Sequence, residues 1–245
     1  MKVALVTGAS GGIGKAIVKR LIVDGYFVIG QYNQNKSAIE NLIEELKVEN
    51  LAEQFYPLQA DFACSDSIKS ACQNVKSSFK HIDLLVNNAG KGLYKLITQT
   101  TEQEWDNIFA VNMKSTYLIT NFVLETMIDN KKGKIINVSS MWGNVGASME
   151  VAYSASKSAM IGYTKALAKE VAPCGINVNC ICPGVIDTPI NARFSNQDML
   201  ELKEQTPLGR IGTPMDVAEL VAFLADDKSS FITGQIITCD GGFTL

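Results

Sequence analysis

Strand-like and helix-like segments alternate from one end of this 245-residue chain to the other. Short apolar runs predict strands near 3–6, 27–31, 54–59, 82–86, 134–139, 176–181 and 235–238. Between them, amphipathic stretches predict helices near 13–24, 36–49, 66–79, 101–128, 152–171 and 214–225. Strands separated by helices pair in parallel, because the chain must cross back before the next strand begins, and the helices then cover both faces of the sheet. The crossovers should be right-handed. No Pro/Ser-rich linker, repeat or low-complexity tract interrupts the pattern, so residues 1–245 read as one α/β domain with a mostly parallel sheet of about seven strands.

The first strand runs directly into Thr7-Gly8-Ala9-Ser10-Gly11-Gly12-Ile13-Gly14, and an apolar-periodic segment starts at Ile13. Strand, glycine turn and helix together aim backbone N–H groups and a helix N-terminus at a phosphate. The glycines are spaced G-x-x-x-G-x-G, not G-x-G-x-x-G. In a parallel sheet ligands bind beyond the carboxyl ends of the strands. The other distinctive polar groups fall at that same edge: Asp61-Phe62, Asn87-Asn88-Ala89-Gly90, Ser139-Ser140 and Pro183-Gly184 each follow a predicted strand.

Tyr153 and Lys157, four apart in a predicted helix, share one helix face. A phenol ordinarily titrates near pH 10, too high for acid–base work at neutrality, but a neighbouring cation favours its phenolate. Lowering that pKa by roughly three units takes about 4 kcal/mol of differential interaction. Ser140 lies upstream as a hydroxyl donor. Taken alone, a Tyr-x-x-x-Lys pair is ordinarily a half-buried phenol beside a solvated ammonium, and here it gains meaning from the rest of the chain.

A formal net charge of −3 with 47% hydrophobic residues describes an ordinary globular protein, and no basic block points to nucleic acid. No apolar run is long enough to span a bilayer, and the first strand reaches its glycine turn too early for a signal peptide. A cytoplasmic location is expected. The six cysteines lack C-x-x-C spacing, and the single histidine, His81, has no partner of catalytic type, so neither disulfides nor metal ligands are expected.

Taken together, Thr7-Gly8-x-x-x-Gly12-x-Gly14, Asn87-Asn88-Ala89-Gly90, Asn112, Ser140, Tyr153-x-x-x-Lys157 and Pro183-Gly184-x-Ile186-x-Thr188 resemble the short-chain dehydrogenases/reductases along essentially the whole chain. The segments Thr206-Pro207-Leu208-Gly209-Arg210-Ile211-Gly212, Thr233-Gly234-Gln235 and Asp240-Gly241-Gly242 are most like the bacterial 3-oxoacyl-acyl-carrier-protein reductases. The resemblance implies a Rossmann-type doubly wound fold, a nicotinamide cofactor and a carbonyl substrate. It also implies that Tyr153 gives the carbonyl oxygen its proton, Ser140 holds that oxygen, and Lys157 lowers the Tyr153 pKa and holds the nicotinamide ribose. Asn112 would link Lys157 to solvent through water, or serve a helix kink by satisfying backbone groups.

For the cofactor, the resemblance implies contacts from Gly8, Ser10, Gly11, Gly12, Ile13 and Gly14, with Ser10 to Ile13 at the pyrophosphate. Asp61 and Phe62 would meet the adenine, and Asn88, Ala89 and Gly90 the adenosine side. Tyr153, Lys157, Pro183, Gly184, Ile186 and Thr188 would flank the nicotinamide, the last two at its carboxamide. Asp61 has a second reading as a cap for the helix that follows. After the second strand no acid stands where one would accept a ribose 2′-hydroxyl, so Asn33, Lys36 or Ser37 could meet a 2′-phosphate. NADP(H) is therefore favoured, with NAD(H) the alternative because Gly11 stands where NADP-dependent relatives often carry a basic residue.

Two features bear on the substrate. Lys131, Lys132 and Lys134 could form a docking patch for acidic acyl carrier protein, yet Cys174 stands where such relatives commonly place an arginine. The segment from Ser140 to Val151 carries Trp142 and Glu150 and is similar to that of reductases acting on the aminopentanone group of elongation factor P. Glu150 would there receive an ammonium, or would instead cap the helix while Trp142 packs under the loop. A 3-oxoacyl group on acyl carrier protein leads as the expected substrate, the aminopentanone reading is second and a generic alcohol or sugar third. A cofactor-binding sensor without turnover is disfavoured because all four catalytic groups are retained. The family also implies a homotetramer.

Overall fold

In a computed structural model that describes residues 1–191 and 194–245, seven strands form one parallel sheet in the order β3-β2-β1-β4-β5-β6-β7. The strands are β1 (Lys2–Val6), β2 (Tyr26–Tyr32), β3 (Phe55–Gln59), β4 (Leu84–Asn87), β5 (Gly133–Val138), β6 (Ile176–Pro183) and β7 (Ile236–Cys239). Their register is continuous, with Leu5 opposite Ile29 on one side and Leu85 on the other. Every predicted strand is present, with ends shifted by one or two residues.

Alternation along each strand explains the two cores. In β1, Ala4 and Val6 join the cluster beneath α1 (Gly12–Val23), α2 (Lys36–Val48) and the last long helix, Pro214–Ala225, whereas Val3 and Leu5 face the opposite layer. That second layer holds α3 (Ser65–Ser78), through Ile68, Ala71 and Val75. The helix expected over 101–128 is not continuous. It divides into α4 (Glu102–Phe109), a π-helical turn at Ala110–Lys114 and α5 (Ser115–Asp129). A π turn inserts a residue into the helical ladder, and this one carries the buried Asn112.

Three further helices complete the fold: α6 (Met141–Val145), α7 (Val151–Val171) and α8 (Asn196–Gln205), with Pro214–Ala225 following as α9. Two of these, α6 and α8, carry too few apolar repeats to be read from sequence. Thr101, Ser195 and Thr213 cap α4, α8 and α9 through reciprocal capping boxes, which explains where those helices begin. From β1 the chain steps outward to β2 and β3, then returns to place β4 on the other side of β1. The reversal opens a crevice beyond the carboxyl ends of β1 and β4.

Candidate active site

The loop after β1 is built to be approached closely. Gly8 has a left-handed φ of 71°, and a Cβ there would lie 2.9 Å from Ala89 Cα. A Cβ on Gly14 would collide with the Gly8 carbonyl oxygen. Thr7 and Asn88 stitch this loop to the tail of β4. Thr7 Oγ1 accepts from the backbone N–H groups of Asn88 and Ala89, each at 2.9 Å, and Asn88 Nδ2 donates to the Thr7 carbonyl at 2.9 Å. Gln31, which no local motif marks, accepts from Gly8 N at 3.0 Å and donates to the Ala60 carbonyl at 2.7 Å, bracing three strand ends.

Along this crevice runs a groove of about 700 Å³. Gly8, Ser10, Gly11, Gly12, Ile13, Gly14, Asn33, Asp61, Phe62, Asn88, Ala89, Gly90 and Thr188 all line it, together with Gln31, Lys91 and Asn107. The geometry fits a dinucleotide. The N-terminus of α1 opens on the groove with Gly11 as a cap that offers no side chain, and its first turn holds no acid, so its N–H groups are available to a phosphate. Asp61 does not cap α3, whose N-cap is Cys64; its carboxylate instead accepts from Ala63 N and Asn33 Nδ2. Of the three candidates for a 2′-phosphate contact only Asn33 lines the groove, since Lys36 pairs with Glu40 and Ser37 bonds to Asn35.

The groove continues into a cavity of about 150 Å³ that shares Ile13, Asn88, Gly90 and Thr188 with it. Ser140, Tyr153, Lys157, Pro183, Gly184 and Ile186 line this cavity, so the predicted nicotinamide-side residues converge. Ser140 follows β5 and caps α6, its Oγ accepting from Trp142 N at 3.2 Å, which leaves the hydroxyl hydrogen able to donate. Ser139 also borders the cavity, but its hydroxyl is committed to the Lys157 carbonyl, to which it donates at 2.8 Å. The Lys157 ammonium is buried, donates to the Val138 carbonyl at 2.8 Å and stands 5.8 Å from the centroid of the Tyr153 ring. Burial pulls its pKa down to about 8.

Asn112 lines neither cavity. It sits behind Gly90, accepting from Lys91 N at 2.8 Å and donating to the Lys91 carbonyl at 3.0 Å and to Ser156 Oγ at 2.9 Å. Ser156 Oγ in turn donates to the Tyr153 carbonyl at 2.7 Å. The π turn thus serves backbone groups on both sides of the site. A Cβ on Gly90 would lie 3.2 Å from Lys157 Nζ and 3.6 Å from Asn112 Oδ1, so both side chains pack against that one residue.

The cavity's outer wall holds Trp142 and Glu150. Glu150 is the N-cap residue of α7, but its side chain makes no capping bond, and it is buried at the cavity. Met149 before it has a left-handed φ of 62°, and its carbonyl accepts from Lys95 N at 2.6 Å. That turn directs the chain into α7. Trp142 meets Phe243 edge to face at 5.9 Å.

The lysine patch expected after α5 does not exist as such. Lys134 is buried, and its ammonium donates to the carbonyls of Leu224 and Asp226 and to Ser229 Oγ, at 3.1, 2.6 and 2.8 Å. Lys131 and Lys132 precede β5, whereas Ser140 follows it, so in one chain roughly 20 Å of strand separates them. Among the described residues no group of three or more His, Cys, Asp or Glu could hold a metal, and no helix is long and apolar enough to cross a membrane.

A family model described as enoyl-(acyl carrier protein) reductase matches residues 8–244. The chain is 40% identical over 242 residues to the uncharacterized oxidoreductase YmfI of Bacillus subtilis, covering 99% of this chain and 98% of that one. It is 39% identical over 244 residues to the 3-oxoacyl-[acyl-carrier-protein] reductase FabG of Staphylococcus aureus, and 38% over 244 to that of Thermotoga maritima, in each case covering 100% of this chain and 98% of the relative. Fold, groove and similarity together define an NAD(P)-dependent oxidoreductase acting between a carbonyl and an alcohol. The chain belongs to the short-chain dehydrogenase/reductase family.

Proposed function

We propose that the protein is an NADP(H)-dependent carbonyl reductase in which Tyr153, Lys157 and Ser140 perform the proton chemistry. The observation that carries this reading is the buried Lys157 ammonium, 5.8 Å from the Tyr153 ring and in no ion pair among the described residues. A buried charge without a counter-ion opposes folding, and beside a phenol it favours the phenolate. Tyr153 delivers its proton to the carbonyl oxygen, Ser140 holds that oxygen by donating a hydrogen bond, and Lys157 stabilises the phenolate left behind. The nicotinamide, when bound, supplies the hydride. Asn112 acts through Ser156 and the Tyr153 carbonyl, and through Lys91, to fix the helix that carries Tyr153 and Lys157. The absence of an acid after β2, with Asn33 on the groove wall, favours NADP(H) over NAD(H).

For the substrate, a 3-oxoacyl group on acyl carrier protein leads, on full-length similarity to two reductases of that name. A second reading rests on Glu150, which lies buried at the cavity and does not cap its helix. A carboxylate there suits a carbonyl compound bearing an ammonium, such as the aminopentanone group on elongation factor P. We further propose a homotetramer in the cytoplasm, in keeping with the exposed Tyr117 on α5 and Phe223 and Phe231 near the C-terminus, which light scattering would check.

The deciding assay follows NADPH and NADH oxidation with an acetoacetyl thioester and with aminopentanone-modified elongation factor P. Faster turnover of the thioester supports the first substrate, and preference for the modified factor supports the second. Tyr153→Phe should remove turnover while leaving cofactor binding intact; full activity in that variant would sink the mechanism.

A further inference from the structure

We infer that Lys91 is a cofactor-binding residue that faces the pyrophosphate of the dinucleotide across the groove from α1. The inference rests on the dinucleotide reading of that groove.

Lys91 is the one cationic side chain among the described residues that line it, and Asp61 is the one acid. It is not placed as an ordinary surface lysine. Asn112 holds both of its backbone polar groups, at 2.8 and 3.0 Å, from inside the π turn. Its ammonium donates to Asn107 Oδ1 on α4 at 3.0 Å, and among the described residues it has no ion-pair partner. A neutral amide orients the charge without cancelling it.

The strand order locates that charge. Lys91 follows β4, the glycine loop follows β1 and Asn33 follows β2, and these strands are consecutive in the sheet as β2-β1-β4. Neighbouring strands lie about 4.8 Å apart, so Asn33 and Lys91 stand on opposite sides of the loop, on the order of 10 Å from each other. A dinucleotide whose pyrophosphate rests on the α1 N-terminus therefore presents that group between the helix and Lys91, and its 2′-position toward Asn33. NADP(H) and NAD(H) have the pyrophosphate in common, so Lys91 should strengthen both.

The test is direct binding of NADPH and NADH to the full-length protein, by calorimetry or tryptophan fluorescence, for wild type, Lys91→Met and Lys91→Arg. Circular dichroism would show that the variants fold. Lys91→Met should weaken both cofactors by a similar factor, about ten-fold at low ionic strength and less in high salt, and Lys91→Arg should restore binding to within about two-fold. Unchanged affinity in Lys91→Met would overturn the inference. So would a loss confined to NADPH, which would place the ammonium at the 2′-phosphate. Failure of the wild type to bind either dinucleotide would overturn the groove reading and this inference with it.

Discussion

Lys157 Nζ lies 5.8 Å from the centroid of the Tyr153 ring and is anchored on the other side by the Val138 carbonyl, 2.8 Å away. The last residue of β5 thus fixes the ammonium beside the phenol from the same helix. This arrangement works against the fold, because burial lowers the lysine pKa from 10.5 to about 8. Below pH 8 the native protein holds a charge that would be better solvated in the unfolded chain, a cost on the order of 3 kcal/mol.

Lys157→Met should therefore abolish turnover and yet raise the melting temperature at pH 7 by a few degrees, less whatever the orphaned Val138 carbonyl costs. Between about pH 8 and 10.5 the unfolded wild type binds more protons than the folded one, so this lysine's penalty fades as pH rises through that window. The difference in melting temperature between variant and wild type should shrink over the same range. A variant less stable than wild type at pH 7, or a difference independent of pH, would contradict this account of the site.

Turnover should carry the opposite signature. If the charged ammonium is what favours the phenolate, kcat/KM for carbonyl reduction falls as pH rises through about 8, where Lys157 loses its proton. A profile flat to pH 9.5, with cofactor saturating, would remove the lysine charge from the mechanism.

Features set by local pattern are legible in the sequence. The glycine loop and the Tyr153–Lys157 pair each have a local spacing, Asn88 to Gly90 and Ser140 are singled out by the family resemblance, and the parallel sheet gathers all of them at one edge. Contacts between distant segments left no such signature. Gln31 braces the Gly8 loop from β2, and Asn112 reaches Lys91 and Ser156 from a π turn that looks helical in sequence. Lys134 looked like part of a basic turn, because a sequence cannot show that the end of α9 comes to cover the amino end of β5.

Lys134 should accordingly matter for stability and not for chemistry. Burial holds its pKa below the usual lysine value, but its ammonium serves three acceptors at the C-terminal end of α9, where the helix dipole and the hydrogen bonds offset that cost. Lys134→Met should cost about 2–4 kcal/mol in denaturant unfolding through the acceptors left unsatisfied, with kcat/KM at 25 °C little changed. A large loss of activity in a variant of native stability would restore a role in substrate docking.

Gly14→Ala addresses the glycine loop without altering charge. The added methyl has no room beside the Gly8 carbonyl, which is backbone and cannot rotate aside. The loop must then shift, so cofactor affinity should fall at least ten-fold, with a stability loss of about 1–3 kcal/mol. Gly25→Ala, at a left-handed turn (φ 84°) remote from the groove, supplies the contrast: a cost to stability with cofactor affinity unchanged. Equal affinity in Gly14→Ala and wild type would mean that the loop's close packing is not what shapes the groove.

Glu150→Gln separates the two substrate readings at a single atom. The carboxylate lies buried on the wall formed with Trp142, on a turn set by the left-handed Met149 and its bond to Lys95 N. Glutamine keeps the volume and removes the charge. If the site receives an ammonium-bearing carbonyl, the substitution should lower kcat/KM for that substrate by about ten-fold or more, mostly through KM, and leave a neutral acetoacetyl thioester nearly unaffected. Equal losses on both substrates would assign Glu150 to supporting the loop, and an effect on neither would leave the acyl thioester as the better fit to this cavity.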